Sequence, residues 1–439
     1  MIYKSSCRLY KEKSIMKKYT LVLLSVVIST VSIGQTKNIL FLGNSYIYVN
    51  DLPNTIEALA NSLGDSVTHD QNTPGGCTMQ GHSTNATSLG KIAIGGWDFV
   101  IIQSQSQEPS FPPAQVASDV YPYAEIICDS IISADVCAEP LFFMTWGRKN
   151  GDAANCPFYP PICTYEGMQQ RLRESYSEMA NDNDASVAPV GAVWKQVRDS
   201  LPSLELYSPD ESHPSVAGTY VAACTFYAAI WRKSPVGSSF TSTLSASDAQ
   251  AIQLLAERVV LDSLSTWRIG NNDVTADFSI NSLSGSSFQF ISNVTNADSI
   301  SWNFGDGNSG VDSVASHTYV GTGTFQVQMI ASNSCMADTV VQDVIVLSTV
   351  IKEHIGLEPI LLYPNPATDQ ITIRSQDNFQ EICLFDQTGK LVMVKNGVDQ
   401  KQITIDLSAL TSGSYILKLS NNRNQTVERV VKIEYDFAK

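Results

Sequence analysis

Positive charge is scarce in this chain. Its 439 residues carry 28 Lys and Arg against 43 Asp and Glu, a formal net charge of −15. That balance argues against nucleic acid or an anionic membrane surface as a partner. Charged residues of both signs together make up 16%, while 43% are hydrophobic, the composition of a folded protein. No two cysteines stand at C-x-x-C spacing, and the five histidines (His69, His82, His213, His317, His354) never fall four apart. Zinc and redox motifs are therefore not indicated, nor is a helical two-histidine metal site. Beyond residue 35 no apolar run is long enough to cross a bilayer.

What is present begins with a targeting pattern. Met16-Lys17-Lys18 supplies a basic start, residues 21–31 an apolar stretch, and residues 32–35 a small-residue exit. Residues 1–35 are accordingly expected to be a signal peptide, with Met16 an alternative start. Their removal takes away six Lys or Arg, one Glu and Cys7, shifting the charge from −15 to −20 and leaving eight cysteines. Export makes disulfides available. Cys156 and Cys163 flank a Pro-rich stretch, 157–162, that a short covalent loop could pin.

The length calls for two to four domains. From 37 to 268, continuous apolar runs alternate with helix-like segments. Strands are expected at 39–42, 97–102, 140–145 and 186–190, with a short one at 66–70. Helices are expected at 52–63, 121–132, 166–180, 214–231 and 246–267. That alternation predicts a three-layer α/β domain around a parallel sheet. Beyond Arg268 helical periodicity disappears, and polar–apolar alternation over 275–347 and again over 360–439 predicts two all-β sandwiches.

The first strand breaks at Gly43 and is followed by Asn44 and Ser45. A serine at the carboxyl end of a parallel strand either caps the next helix or stands where open α/β sheets place their chemistry. Far downstream, Asp210 and His213 lie three residues apart on a turn entering a helix, with Pro214 expected at its first position. Such a turn lets the Asp210 carboxylate reach Nδ1 of His213, leaving Nε2 to take a proton from a serine. The competing reading is a helix-capping cluster with His213 incidental. Tyr165 and Trp194 read as core.

Three resemblances follow from these residues. Residues 37–268, through Ile39-Leu-Phe-Leu-Gly-Asn-Ser45 and Asp210-Glu-Ser-His213, resemble the SGNH (GDSL-type) hydrolases, with Asn44 in place of the usual Asp. The resemblance implies a flavodoxin-like α/β fold and a triad of Ser45, His213 and Asp210. Residues 275–347, with Trp302-Asn-Phe-Gly-Asp-Gly307 and His317-Thr-Tyr319, resemble a PKD-type immunoglobulin-like domain. There Asp306 is expected to form a turn, and His317 and Tyr319 to pack and hydrogen-bond. Residues 360–439, with Tyr363-Pro-Asn-Pro366, Asp386-Gln-Thr-Gly-Lys390 and Gly413-Ser-Tyr415, look like the C-terminal sorting domain of type IX secretion in the Bacteroidetes.

The first resemblance also implies an oxyanion hole. The Ser45 N–H is one donor, and a glycine of Pro74-Gly-Gly-Cys-Thr78 another, with Gly76 the better match and Gly75 the alternative. The family's Gly-x-Asn-Asp segment is replaced here by Gln103-Ser-Gln-Ser-Gln107. An ungapped register sets Gln107 at the Asn position, and Gln105 competes; either amide can donate the same bond. Asn44, His82, Trp146 and Arg148 are candidate substrate contacts, with a plain surface role the alternative for His82 and packing the preferred reading of Trp146. The expected activity is exported ester hydrolysis without metal or cofactor, acetyl groups on polysaccharide being one substrate class, with the type IX machinery as partner. The rival is a cell-surface carbohydrate- or protein-binding protein whose hydrolase domain is degenerate.

Overall fold

The computed structural model describes residues 36–347, 360–387, 389–420 and 425–434, so the expected signal peptide at 1–35 lies outside the described residues. The chain forms two compact units that part after Leu347.

The first unit begins with an α/β domain. Its strands are β1 (Thr36–Leu42), β2 (Ser66–Asn72), β3 (Phe99–Ile102), β4 (Glu139–Phe143) and β5 (Ser186–Ala188). They form one parallel sheet in the order β2-β1-β3-β4-β5, the flavodoxin-like arrangement. Ile39 to Leu42 and Val100 to Ile102 have almost no exposed surface, as strands covered on both faces require. Ten helices connect and cover the strands: α1 (Ser45–Tyr48), α2 (Leu52–Ser62), α3 (Met79–Thr84), α4 (Ala86–Ile92), α5 (Pro113–Asp119), α6 (Tyr121–Ala134), α7 (Tyr165–Asp182), α8 (Val190–Ser200), α9 (Val216–Trp231) and α10 (Ala246–Leu261). Helices α2, α8, α9 and α10 pack with one another, as do α3 to α7, giving the two outer layers.

Several details depart from the sequence reading: helices α1 and α5 were not expected, and the strands expected at 97–102, 140–145 and 186–190 run Phe99–Ile102, Glu139–Phe143 and Ser186–Ala188. The helix expected from Pro214 starts at Val216, because Ser215 is its cap and accepts from the Gly218 N–H at 3.2 Å. The helix expected over 246–267 ends at Leu261 and resumes as a single 3₁₀ turn, Leu264–Trp267. Helices α3 and α4 were not foreseen, being short and polar, each started by its own cap, Thr78 and Asn85. Helix α8 was also missed; its apolar residues are spaced for one buried face. Cys156 and Cys163 are bonded, closing the Pro-rich loop after β4.

The unit continues with a sandwich of two antiparallel sheets. One is ordered β10-β7-β6, and the other β12-β11-β8-β9. Their strands are β6 (Thr275–Ser284), β7 (Ser287–Thr295), β8 (Ser299–Asn303), β9 (Ser309–Gly310), β10 (Val314–Thr318), β11 (Gly323–Ser332) and β12 (Ala337–Val346). Phe278, Phe290, Trp302, Phe304, Val327 and Met329 fill the space between the sheets. Asp306 accepts from His317 Nε2 at 2.7 Å, and Tyr319 donates to the Phe304 carbonyl at 2.9 Å. A disulfide, Cys137–Cys335, joins this sandwich to the α/β domain across 198 residues of sequence.

In the second unit the named strands pair antiparallel: β13 (Leu361–Tyr363), β14 (Gln370–Phe385), β15 (Leu391–Asp406), β16 (Gly413–Ser420) and β17 (Gln425–Lys432), with one parallel bridge between Ala367 and Lys432. Asn365, inside the Tyr-Pro-Asn-Pro opening, donates to the Arg429 carbonyl at 2.7 Å and accepts from the Val431 N–H at 2.8 Å. The opening is thus tied to β17. Among the described residues no helix is long and apolar enough to cross a membrane.

Candidate active site

Leu42 pairs with Ile102, and Ile102 with Phe142, so β1, β3 and β4 end together at one edge of the sheet. The strand order reverses between β1 and β3, the crevice where such sheets bind ligands. Ser45 enters that crevice as the first residue of α1. It is not the cap: Asn44 fills that position and accepts from the Tyr46 N–H at 3.2 Å. Ser45 Oγ is thereby free for another partner. It lies 2.8 Å from His213 Nε2, 168 residues away in sequence.

His213 sits on a turn held by its own backbone. The Asp210 carboxylate accepts from the Ser212 and His213 N–H groups at 3.1 and 3.0 Å, and its other oxygen accepts from His213 Nδ1. A carboxylate only accepts, so Nδ1 carries the proton and Nε2 faces Ser45 as the acceptor. Partial burial works against the Asp210 charge. The hydrogen bonds from His213 and from the two backbone N–H groups outweigh it, and the carboxyl is held below its ordinary value. The turn is pinned from below by an aromatic stack. Tyr46 lies flat on Trp146 with ring centres 4.6 Å apart, and Trp146 on Trp194 at 4.0 Å. Tyr46 Oη bonds Ser212 Oγ at 2.7 Å, and Trp146 Nε1 donates to the Ser212 carbonyl at 3.0 Å.

The loop before α3 joins the site through Asn44, whose Nδ2 donates to the Cys77 carbonyl at 3.0 Å. Gly76 occupies the left-handed region, φ 67°, at an exposed turn closed by Cys77 N–H to the Pro74 carbonyl at 3.0 Å. Among the described residues nothing accepts from the N–H groups of Ser45 and Gly76. Gln105 and Gln107 hold each other. The Gln107 N–H donates to Gln105 Oε1 at 2.7 Å, and Gln105 Nε2 to Gln107 Oε1 at 3.2 Å. Gln107 Nε2 also donates to Asp152 at 2.6 Å, so each amide retains one hydrogen for a ligand. No hydrogen bond among the described residues joins either glutamine to Ser45.

Two expected substrate contacts are corrected, and Trp146 takes the packing role, the preferred of its two readings. Asn44 is buried, and its amide is used on the Cys77 and Ser104 carbonyls and the cap of α1. His82 is buried between the Gly43 carbonyl, 2.9 Å from Nε2, and Ser88 Oγ, 2.8 Å from Nδ1; burial lowers its pKa. Trp146 has no exposed surface and belongs to the stack. Arg148 alone of the four keeps an exposed portion, while its guanidinium reaches the buried Asp152 at 3.6 Å. Tyr165 and Trp194 are core, as expected. Tyr46, Gln103, Asp152 and Ser212 were overlooked. Gln103 and Ser212 lie inside the quoted segments and Tyr46 directly follows one, and a polar residue beside Ser45 or His213 is the signal that could have found them.

Residues 273–347 match the family model for the PKD domain, and residues 361–434 that for the secretion system C-terminal sorting domain. The sorting domain is that of type IX secretion, and the protein is a secreted or cell-surface one. Beta-agarase D of Zobellia galactanivorans is 36% identical over 76 residues, 17% of this chain; the match spans only 15% of that protein's length. Among solved structures, a DUF4886 family protein from Bacteroides uniformis superposes with a TM-score of 0.44 at 16% identity, over 52% of this chain and 95% of its own. The psychrotrophic esterase EstA from Pseudoalteromonas sp. gives 0.32 at 13% identity, over 45% and 97%.

Proposed function

We propose that the α/β domain, residues 37–268, is a serine ester hydrolase working outside the cell. The observation that carries this reading is the relay from Ser45 Oγ to His213 Nε2, 2.8 Å, and from His213 Nδ1 to Asp210. A serine hydroxyl is a weak nucleophile alone, and a base at hydrogen-bond distance with an orienting acid behind it is the arrangement that activates one. Ser45 attacks the ester carbonyl while His213 takes its proton. Asp210 keeps the imidazole in the required tautomer and stabilises the imidazolium. The Ser45 and Gly76 N–H groups and an amide hydrogen of Gln105 or Gln107 receive the oxyanion. His213 then protonates the leaving alcohol, and water activated by His213 releases the acid. No metal or cofactor takes part. Export to the cell surface favours acyl groups on polysaccharide, acetyl esters among them, as the substrate class, with Arg148 at the rim of the site as a substrate contact.

The test is labelling of the full chain with a fluorophosphonate, together with hydrolysis of a short-chain nitrophenyl ester. Label is expected on Ser45, and Ser45→Ala is expected to lower turnover by on the order of 10⁴-fold or more. Equal turnover by Ser45→Ala would eliminate the mechanism, leaving the surface-binding reading.

A further inference from the structure

The peptide unit between Gly43 and Asn44 is held at both ends by buried side chains. Its carbonyl accepts from His82 Nε2 at 2.9 Å, and its N–H donates to Gln103 Oε1 at 3.0 Å. His82 is 1% exposed and Gln103 is 0% exposed. A carbonyl can only accept, so the neutral His82 carries its proton on Nε2, and Nδ1 accepts from Ser88 Oγ at 2.8 Å. Ser88 in turn accepts from Asn72 Nδ2 at 2.8 Å, and the Asn72 carbonyl accepts from the Gly43 N–H at 3.3 Å. On the other side the Gln103 N–H donates to the Leu42 carbonyl at 2.9 Å, and its amide donates to the Ser104 carbonyl. The approach is too close for any side chain at Gly43: a Cβ there would lie 2.5 Å from both Gln103 Oε1 and Ile47 Cδ1.

We propose that His82 and Gln103 are positioning residues that clamp the Gly43–Asn44 peptide and so fix the direction in which Ser45 presents its Oγ and its N–H. This rests on the ester-hydrolase reading. A peptide unit is rigid, so turning it swings the next unit, which contains the Ser45 N–H, about the Asn44 Cα. Turning it would also break two buried hydrogen bonds at once, each costly to leave unmade. A histidine at one end and a glutamine at the other therefore hold the nucleophile without touching substrate. The unusual segment after β3 thereby gains a role other than oxyanion binding: its first glutamine is the one that faces the turn before Ser45.

The rate of fluorophosphonate labelling at Ser45 in the full chain tests this independently of the natural substrate. His82→Leu and Gln103→Met, each confirmed as folded by circular dichroism, are expected to label about 10- to 100-fold more slowly, the scale of an ångström-sized misplacement. His82→Gln, which can carry an N–H to the same carbonyl, is expected to recover most of the rate. The double variant is expected to be no slower than the worse single one by more than about threefold, because one peptide is released only once. With a nitrophenyl ester the loss falls on kcat and leaves KM unchanged. Nitrogen NMR of the wild type, which needs no variant to fold, is expected to find His82 protonated on Nε2. Wild-type labelling rates in folded His82→Leu and Gln103→Met, or an Nδ1-protonated His82, would overturn the clamp. A wild type that takes no label at Ser45 would overturn the ester-hydrolase reading instead, and the His82 tautomer would still decide the clamp.

Discussion

Asp152 has no exposed surface, yet it gathers Gln107 at 2.6 Å, Asn155 at 2.8 Å and Arg148 at 3.6 Å. Burial is the largest single influence on its pKa and raises it. The hydrogen bonds from Asn155 and Gln107 and the Arg148 charge together outweigh burial, so the carboxyl is held below its ordinary value. A carboxyl depressed on folding contributes stability above its unfolded value, about 3.9, and loses that contribution as pH falls through the lower folded value. Asp152→Asn is expected to cost about 2 kcal/mol at pH 7, since the new amide turns a donor toward Gln107 and leaves Arg148 uncompensated. The gap between variant and wild type should narrow below about pH 4, read by urea denaturation at pH 7 and pH 3. Asp210→Asn tests the relay itself. The amide favours the wrong His213 tautomer, and kcat is expected to fall about 10⁴-fold while the fold survives.

Among the elements, α9 decides where His213 stands. Its cap, Ser215, donates to the Glu205 carbonyl at 2.7 Å, and Pro214 and Ser208 are bridged across the same turn. Gly218, one turn in, has the Leu206 carbonyl and the Trp194 ring 2.4 Å from where a Cβ would be. Gly218→Ala gains about 1 kcal/mol of helix propensity but must push α9 off the 206 backbone. Overpacking of that kind costs about 1 to 3 kcal/mol, so a net loss is expected in thermal unfolding. Activity should fall further than stability, because the displaced helix carries the His213 turn with it.

For the first unit as a whole, the Cys137–Cys335 bond closes a loop of 198 residues, whereas Cys156–Cys163 closes one of 7. Chain entropy rewards the longer closure, about 5 kcal/mol against about 2. Cys335→Ser is therefore expected to lower the denaturation midpoint more than Cys163→Ser does, under oxidising conditions. Under reducing conditions wild type and Cys335→Ser should converge. The covalent tie is supported by contacts at the same junction: Asn296 Nδ2 donates to the Asn271 and Asp273 carbonyls at 2.8 and 2.9 Å, and Arg232 pairs with Asp273.

Periodicity and motif spacing in the chain were enough to call for a parallel α/β sheet followed by two β-sandwiches, because burial on both faces of a strand leaves a continuous apolar run and burial on one face leaves alternation. Ser45, Asp210 and His213 were likewise legible, since a relay needs those residue types at a strand end and on a turn, and the fold brings them within hydrogen-bond reach. The direction of each neighbouring side chain was not legible. Asn44, His82 and Trp146 stand beside the motifs in sequence, but packing turns them inward, onto carbonyls, a serine and a tryptophan. Gln103, Gln105 and Gln107 look alike in the chain. Only the pairing of β3 with β1 decides that Gln103 meets the turn before Ser45 while Gln107 meets Asp152, because which way a side chain faces depends on what lies across from it.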